Sequence, residues 1–408
     1  MKIRAITYFF NPGWPLDERQ LRLAAAFLKD AGSAFEAAGF EVQTTRLATI
    51  PFPLLLGEKH IHETPRMAEK FSLAIQDAGI AYASLGPALP EFPASYAVIP
   101  DAIANSQNIF FSGLMTEPGS RLSTRAVRAC AQVIVRTAPI LPDGFANLRF
   151  AALANVPAGT PFFPAAYHSG DLPAFAIATE AADLAVTAFK VAGSIEAGQR
   201  SLVAALEEHA RQMLPVADLL KYKYAVRFGG IDFSLAPYPE VSRSLGTALE
   251  ILGAGRLGWH GSLAAAAILT EAIERAEFPH TGFCGLFLPV LEDATLALRV
   301  AEGSLTLKDL LLFSSVCGTG LDTIPLPGDV TVDQLTPLLL DLAAMALRLN
   351  KPLTARLMPV PGKHAGDQTG FDFSFFANSR VMGLDSGPLH PPLADPAGFR
   401  LTPRKTNG

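Results

Sequence analysis

The chain has 408 residues and a formal net charge of −5; half of the residues are hydrophobic and 17% are charged, against roughly 25% charged in an average soluble protein. A sparse, slightly acidic charge set excludes a general nucleic-acid binder, which needs a basic stripe; the closest approach, Lys221-Tyr222-Lys223-Tyr224, reads as a solvated helix end. Three widely spaced cysteines, Cys130, Cys284 and Cys317, make no disulfide framework and predict a reducing compartment.

Residues 3–10 are an apolar run ending at Asn11-Pro12-Gly13, a strand followed by a turn, rather than a signal peptide. Leu21, Leu23, Ala24, Phe27 and Leu28 recur at helical spacing, so Asp17 to Gly39 reads as a helix, and Glu41 to Ile50 is extended again. The alternation continues, with helices near 64–78, 94–106 and 123–137 preceding strands at 80–86, 108–113 and 149–154. The second half opens at Thr160-Pro161-Phe162-Phe163 and holds a long helix near 194–225, a glycine-led strand over 228–237 and a helix at 242–252. An Ala-rich helix to about 275, an apolar strand at 283–291, a helix at 331–349 and strands at 354–360 and 371–376 complete the series. Alternating strand and helix predict an α/β architecture with much parallel pairing. One domain over 1–384 and a Pro- and Gly-rich tail over 385–408 are expected. No run of about 18 uninterrupted apolar residues occurs, so no membrane partner is expected, and the default is a cytoplasmic protein. The low charge also suits a homodimer.

The most distinctive loop is Cys317-Gly318-Thr319-Gly320-Leu321-Asp322. Its glycines allow a tight turn that could present the thiol as a nucleophile or redox group; the competing reading is a buried packing cysteine. The helix pattern before it places Cys317 at a helix C-terminus, whose dipole opposes thiolate formation. His260-Gly261-Ser262 opens a helix: Ser262 can cap it, and Gly261 lets an anion approach the free N–H groups. Asp232 in an apolar strand, Glu292-Asp293 at the end of another, and Asp322 are acids at strand ends, where α/β folds collect active sites. Each could be a general acid or base, or a local cap. His168 follows a Pro- and aromatic-rich loop. No metal-ligand spacing or phosphate-loop signature is present, so the cofactor is left open.

Five stretches, beginning Ile231-Asp232-Phe233, His260-Gly261-Ser262, Gly285-Leu286-Phe287, Cys317-Gly318-Thr319 and Arg356 (through Lys363), together with Pro164 to His168, resemble in residues and order the domain-of-unknown-function 711 family, also called uncharacterised protein family 0210. The resemblance implies a fold similar to the barrel of pyruvate formate-lyase and anaerobic ribonucleotide reductase: ten strands in two five-stranded sheets ringed by helices. By that similarity Cys317 corresponds to the loop thiol. Arg380-Val381-Met382-Gly383-Leu384 resembles the glycyl-radical signature Arg-Val-x-Gly-Tyr and departs from it at Leu384. Motifs and resemblance together lead to an expectation of a non-radical enzyme acting on a small anionic ligand. Cys317 is the candidate nucleophile or proton donor and Asp232 or Asp322 the candidate base; Glu292 and His168 orient. His260, at the anion's expected place, is counted with the catalytic candidates, and Gly261, Ser262, Gly318, Thr319, Gly320 and Lys363 are the candidate ligand-binding residues. The alternatives are a non-catalytic metabolite-binding protein and a glycyl-radical-type enzyme.

Overall fold

The computed structural model describes residues 1–170 and 172–404. Its core is one mixed sheet of nine strands: β1 Lys2–Phe10, β2 Thr45–Thr49, β3 Tyr82–Ala88, β4 Ile109–Leu114, β5 Phe150–Ala154, β6 Ala174–Glu180, β7 Arg227–Ala236, β8 Gly320–Pro327 and β9 Leu353–Val360. The spatial order is β8-β9-β5-β4-β3-β2-β1-β6-β7. β1 to β5 form a five-stranded parallel run. β6 and β7 run parallel to each other, as do β8 and β9, and each pair joins the central run through an antiparallel contact, β6 on β1 and β9 on β5. The strands are buried along most of their length, which is why they read as apolar runs rather than as alternation.

Helices cover the sheet. Glu18–Ala37 starts at Asp17, whose Oδ1 accepts from the backbone N–H of Arg19 at 2.9 Å. Its buried stripe is Leu21, Ala24, Phe27, Leu28, Ala31 and Phe35. Phe27 sets its ring 5.0 Å from Tyr8 on β1 and 4.9 Å from Phe175 on β6. Helix spacing in the sequence is thus converted into sheet coverage.

The predicted α/β alternation is present, with local departures, of which four bear on the sheet and the site. β6 was not among the predicted strands: its sequence, Ala-Phe-Ala-Ile-Ala-Thr-Glu, is rich in alanine, a weak strand former, and it is held by full burial between β1 and β7. The predicted helix at 94–106 is two short helices, Ala94–Ala97 and Ile99–Ala104, with Pro100 in the first turn of the second. The predicted strand at 371–376 is irregular; Phe371, Phe373 and Phe376 instead pack around Phe145, and the segment is tied down where Ala377 N–H donates to Leu291 O at 2.6 Å. Finally, residues 283–291 form no regular strand, and the ladder therefore has nine strands among the described residues rather than ten. That stretch and the residues just before it nevertheless make parallel bridges to both edges of the sheet, His280 to Ile231 on β7 and Pro289 to Asp322 on β8. In the tail, Phe399–Arg400 pairs antiparallel with Arg121–Leu122, and the end of the tail, 405–408, lies outside the described residues.

Candidate functional site

A cavity of about 580 Å³ opens where the parallel strands begin. Its wall takes Arg4 from β1, Arg46 from β2, Tyr82 from β3, Phe110 from β4, Asp322 from β8 and Arg356 from β9. Glu292 joins from the turn after the bridging stretch. Aromatic side chains, including Phe162, Phe163, Phe287, Phe373 and Phe375, supply much of the rest. Open α/β sheets place ligands at the carboxyl ends of parallel strands. This cavity lies instead at the amino ends of β1–β4 and beside the carboxyl end of β7, where Ala236 lines it.

Its polar wall is built on Arg356. Nε donates to Asp322 Oδ1 at 2.5 Å, and Nη2 donates to Asp322 Oδ2 at 3.0 Å and to Glu292 Oε1 at 2.7 Å. Arg4 closes the other side: its Nη2 donates to Glu292 Oε2 and its Nη1 to Pro237 O at 3.2 Å. Beyond it, Glu180 accepts from Arg243. Burial works to raise Glu292, but Arg4 and Arg356 outweigh it and hold its carboxyl below the ordinary value. Burial raises Asp322; Arg356 offsets part of that, and the charge on Glu292 adds to it. Two carboxylates that share a guanidinium are pushed apart in this way, the arrangement from which general acids and bases are made.

Asp322 lies within a bulge. The β8–β9 register shifts between Leu321 and Ile324, and Thr323 within the shift has a left-handed φ of 42°. A bulge re-aims neighbouring side chains, and a β-branched residue at positive φ is strained. Thr323 Oγ1 is buried without a hydrogen-bond partner among the described residues.

Arg46 differs from its neighbours. Its Nε donates to Thr44 Oγ1 at 2.8 Å, and the guanidinium lies 5.1 Å from the centre of the Phe163 ring and 5.9 Å from that of Tyr82. Neither Nη group makes a hydrogen bond or an ion pair among the described residues. Burial, with Arg4 and Arg356 close by, pulls its pKa down to about 9. This is a half-buried cation with no carboxylate bonded to it.

Of the residues picked out in the sequence, Glu292 and Asp322 line this cavity and meet through Arg356. Asp232 is buried elsewhere and accepts from Phe283 N–H at 2.8 Å, Cys284 N–H at 2.9 Å, Ser234 N–H at 3.0 Å and Ser234 Oγ at 2.7 Å, clamping the bridging stretch to β7. Asp293 is a double cap, accepting from Leu245 N–H at 2.6 Å and Thr295 N–H at 2.9 Å. Cys317 is buried in the main core, its pKa raised by that burial, and it lies off the cavity wall. Gly318 is packed against Gly285, Thr319 Oγ1 donates to Leu286 O at 2.5 Å, and Gly320 meets the backbone of Thr354. His260 and Gly261 are exposed. Gly261, not Ser262, occupies the cap position; Ser262 Oγ turns back to accept from Gly258 N–H at 3.1 Å. His168 is buried, with its N–H donating to Thr49 O at 2.9 Å; Lys363 and Gly383 are exposed. None of these lines the cavity. Sequence reasoning gave Arg4, Arg46 and Arg356 no site role; Arg356 entered only as the start of a family-like stretch. The available signal was one arginine inside each of three short, largely buried strands.

Among the described residues no group of three or more His, Cys, Asp or Glu side chains is arranged to hold a metal ion, and no helix is long and apolar enough to cross a membrane. Residues 1–376 match the family model described as Uncharacterised ACR (DUF711). The chain belongs to this family. Similar proteins carry the uncharacterised protein family 0210 label. One from Pyrobaculum aerophilum is 37% identical over 59% of this chain and 55% of its own length. One from Pyrobaculum islandicum is 31% identical over 81% and 76%, and one from Acetivibrio thermocellus is 28% identical over 86% and 81%. The chain thus spans little more than half the length of the Pyrobaculum aerophilum relative.

Proposed function

We propose that the cavity binds a small organic anion, a carboxylate or phosphate, and that Asp322 exchanges a proton with it. Arg46 carries this reading: a half-buried guanidinium on the cavity wall, set against the Phe163 and Tyr82 rings and bonded to no carboxylate among the described residues, has both Nη groups free to hold an anion. The balance around the cavity supports it, since Arg4, Arg46, Arg149 and Arg356 face Glu292 and Asp322. Asp322, with a raised pKa and a fixed bidentate partner, suits general acid or base work; Glu292, held ionised by two arginines, suits electrostatic support. Cys317 has no part in this reading. We further propose that residues 279–289 act as an irregular tenth strand, closing the sheet into two five-stranded parallel halves around the cavity. Supporting this are the two parallel bridges and the bonds Ile231 N–H to Pro279 O at 2.8 Å and Leu235 N–H to Gly285 O at 3.1 Å.

The test is thermal unfolding with a panel of small carboxylates and phosphates. At one hundred times its Kd a ligand adds about 2.7 kcal/mol, or roughly 3 °C for a chain of this size. At least one panel member should shift the wild type by that much, and Arg46→Met should abolish the shift. Asp322→Asn should keep the binding and lose any turnover. Equal shifts in wild type and Arg46→Met would sink the reading. Binding without turnover in the wild type would favour the metabolite-binding alternative.

A further inference from the structure

The cavity carries a second incomplete group. Gln43 lines it, and its Oε1 is buried with no hydrogen-bond partner among the described residues. An unsatisfied buried acceptor costs roughly 1–3 kcal/mol, so a bound partner that donates to it restores what folding gave up. Gln43 is fixed at the backbone, its N–H donating to Ile3 O at 2.9 Å. The next residue is fixed too: Thr44 Oγ1 donates to Arg4 O at 2.9 Å while accepting from Arg46. Residues 43–44 lie just ahead of β2, outside its regular ladder, yet both 43 and 46 line the cavity. That breaks the alternation which would put positions 43 and 46 on opposite faces. An orphan acceptor and an orphan cation therefore line the same cavity from one short, immobilised segment.

Resting on the anion reading above, the geometry points to a ligand with three parts: a carboxylate for Arg46, a neutral hydroxyl donor beside it for Gln43 Oε1, and an apolar or aromatic body. The body follows from the wall, where Phe162, Phe163, Phe287, Phe373 and Phe375 line the cavity. The donor is a hydroxyl rather than an ammonium because the arginines around the cavity already outnumber the carboxylates, and both carboxylates are engaged by Arg356. The substrate class is a 2-hydroxy carboxylic acid with a bulky apolar substituent. A site built to pair a substrate hydroxyl rejects the analogue lacking it, because the buried acceptor is then left bare.

The experiment measures Kd by calorimetry for five probes on the full chain: 3-phenyllactate, 3-phenylpropanoate, 2-methoxy-3-phenylpropanoate, phenylalanine and 3-phenylpropanol. Phenyllactate should bind at least about tenfold tighter than each of the others. Gln43→Leu should bring phenyllactate and phenylpropanoate within about twofold of each other. The methoxy acid keeps the bulk and removes the donor on the wild-type protein, so the comparison stands even if the variant fails to fold. Equal affinity for the hydroxy, methoxy and unsubstituted acids overturns the donor assignment and leaves the anion reading intact. Phenylalanine binding tighter than phenyllactate overturns the neutral donor. If no acid binds and only the alcohol does, the anion reading itself fails, and this inference with it.

Discussion

Arg356→Met removes the guanidinium on which the polar wall is built. Three charge-assisted hydrogen bonds go with it, two to Asp322 and one to Glu292. The carboxylates stay buried; Glu292 keeps Arg4, and Asp322 loses both of its side-chain donors. Breaking a buried ion pair from one side costs about 3–5 kcal/mol, because the partner is left as an uncompensated charge. Unfolding entropy of about 2.1 cal/mol/K per residue, summed over 408 residues, turns that into a fall of roughly 4–6 °C in Tm. The cost must also depend on pH. In the wild type, Glu292 has a lowered folded pKa, so its stabilising contribution is present above its unfolded value and fades as pH falls through the folded one. Asp322 has a raised folded pKa, so it opposes folding increasingly as pH rises from its unfolded value through the folded one. Removing Arg356 raises Asp322 further and lifts Glu292 from its lowered value. The difference between variant and wild type should therefore grow from pH 5 to pH 8. The assay is thermal and urea unfolding of both proteins at the two pH values, with Arg356→Met/Asp322→Asn as the control that recovers part of the loss. A cost below about 1 kcal/mol at pH 8, or one that does not change with pH, would refute the argument that these carboxylates are buried and charged.

Two further outcomes follow from the packing. Cys317 should resist alkylation in the native protein, reacting at the rate of unfolding, and Cys317→Ser should cost about 1–3 kcal/mol through its buried hydroxyl while leaving anion binding unchanged; a fast native reaction protected by ligand would restore the thiol to the site. Asp232→Asn should cost a similar 1–3 kcal/mol, since an amide cannot accept all four donors that converge there. Hydrogen exchange should then rise at Phe283 and Cys284, and unchanged protection at those two amides would rule out the clamp.

The α/β alternation was legible because helix and strand periods are local properties of the chain. The stripe from Leu21 to Phe35 names a buried helix face, and the apolar runs in β1 and β9 name buried strands. Alanine-rich β6 escaped because its extended state comes from the neighbours on either side. The acids Glu292 and Asp322 could be picked out as costly charges among apolar neighbours. The loop glycines at 318 and 320 invited a different reading, an exposed thiol. In the fold they permit backbone contacts with Gly285 and Thr354, and the thiol they flank is buried. Sequence alone determined the elements and marked single buried charges. It could not say which would meet. Residues 4, 46, 292, 322 and 356 share one cavity only because sheet order places β9 beside β8 and a bridging stretch delivers Glu292 between the arginines of β1 and β9. That convergence is a property of long-range strand pairing, and no local pattern encodes it.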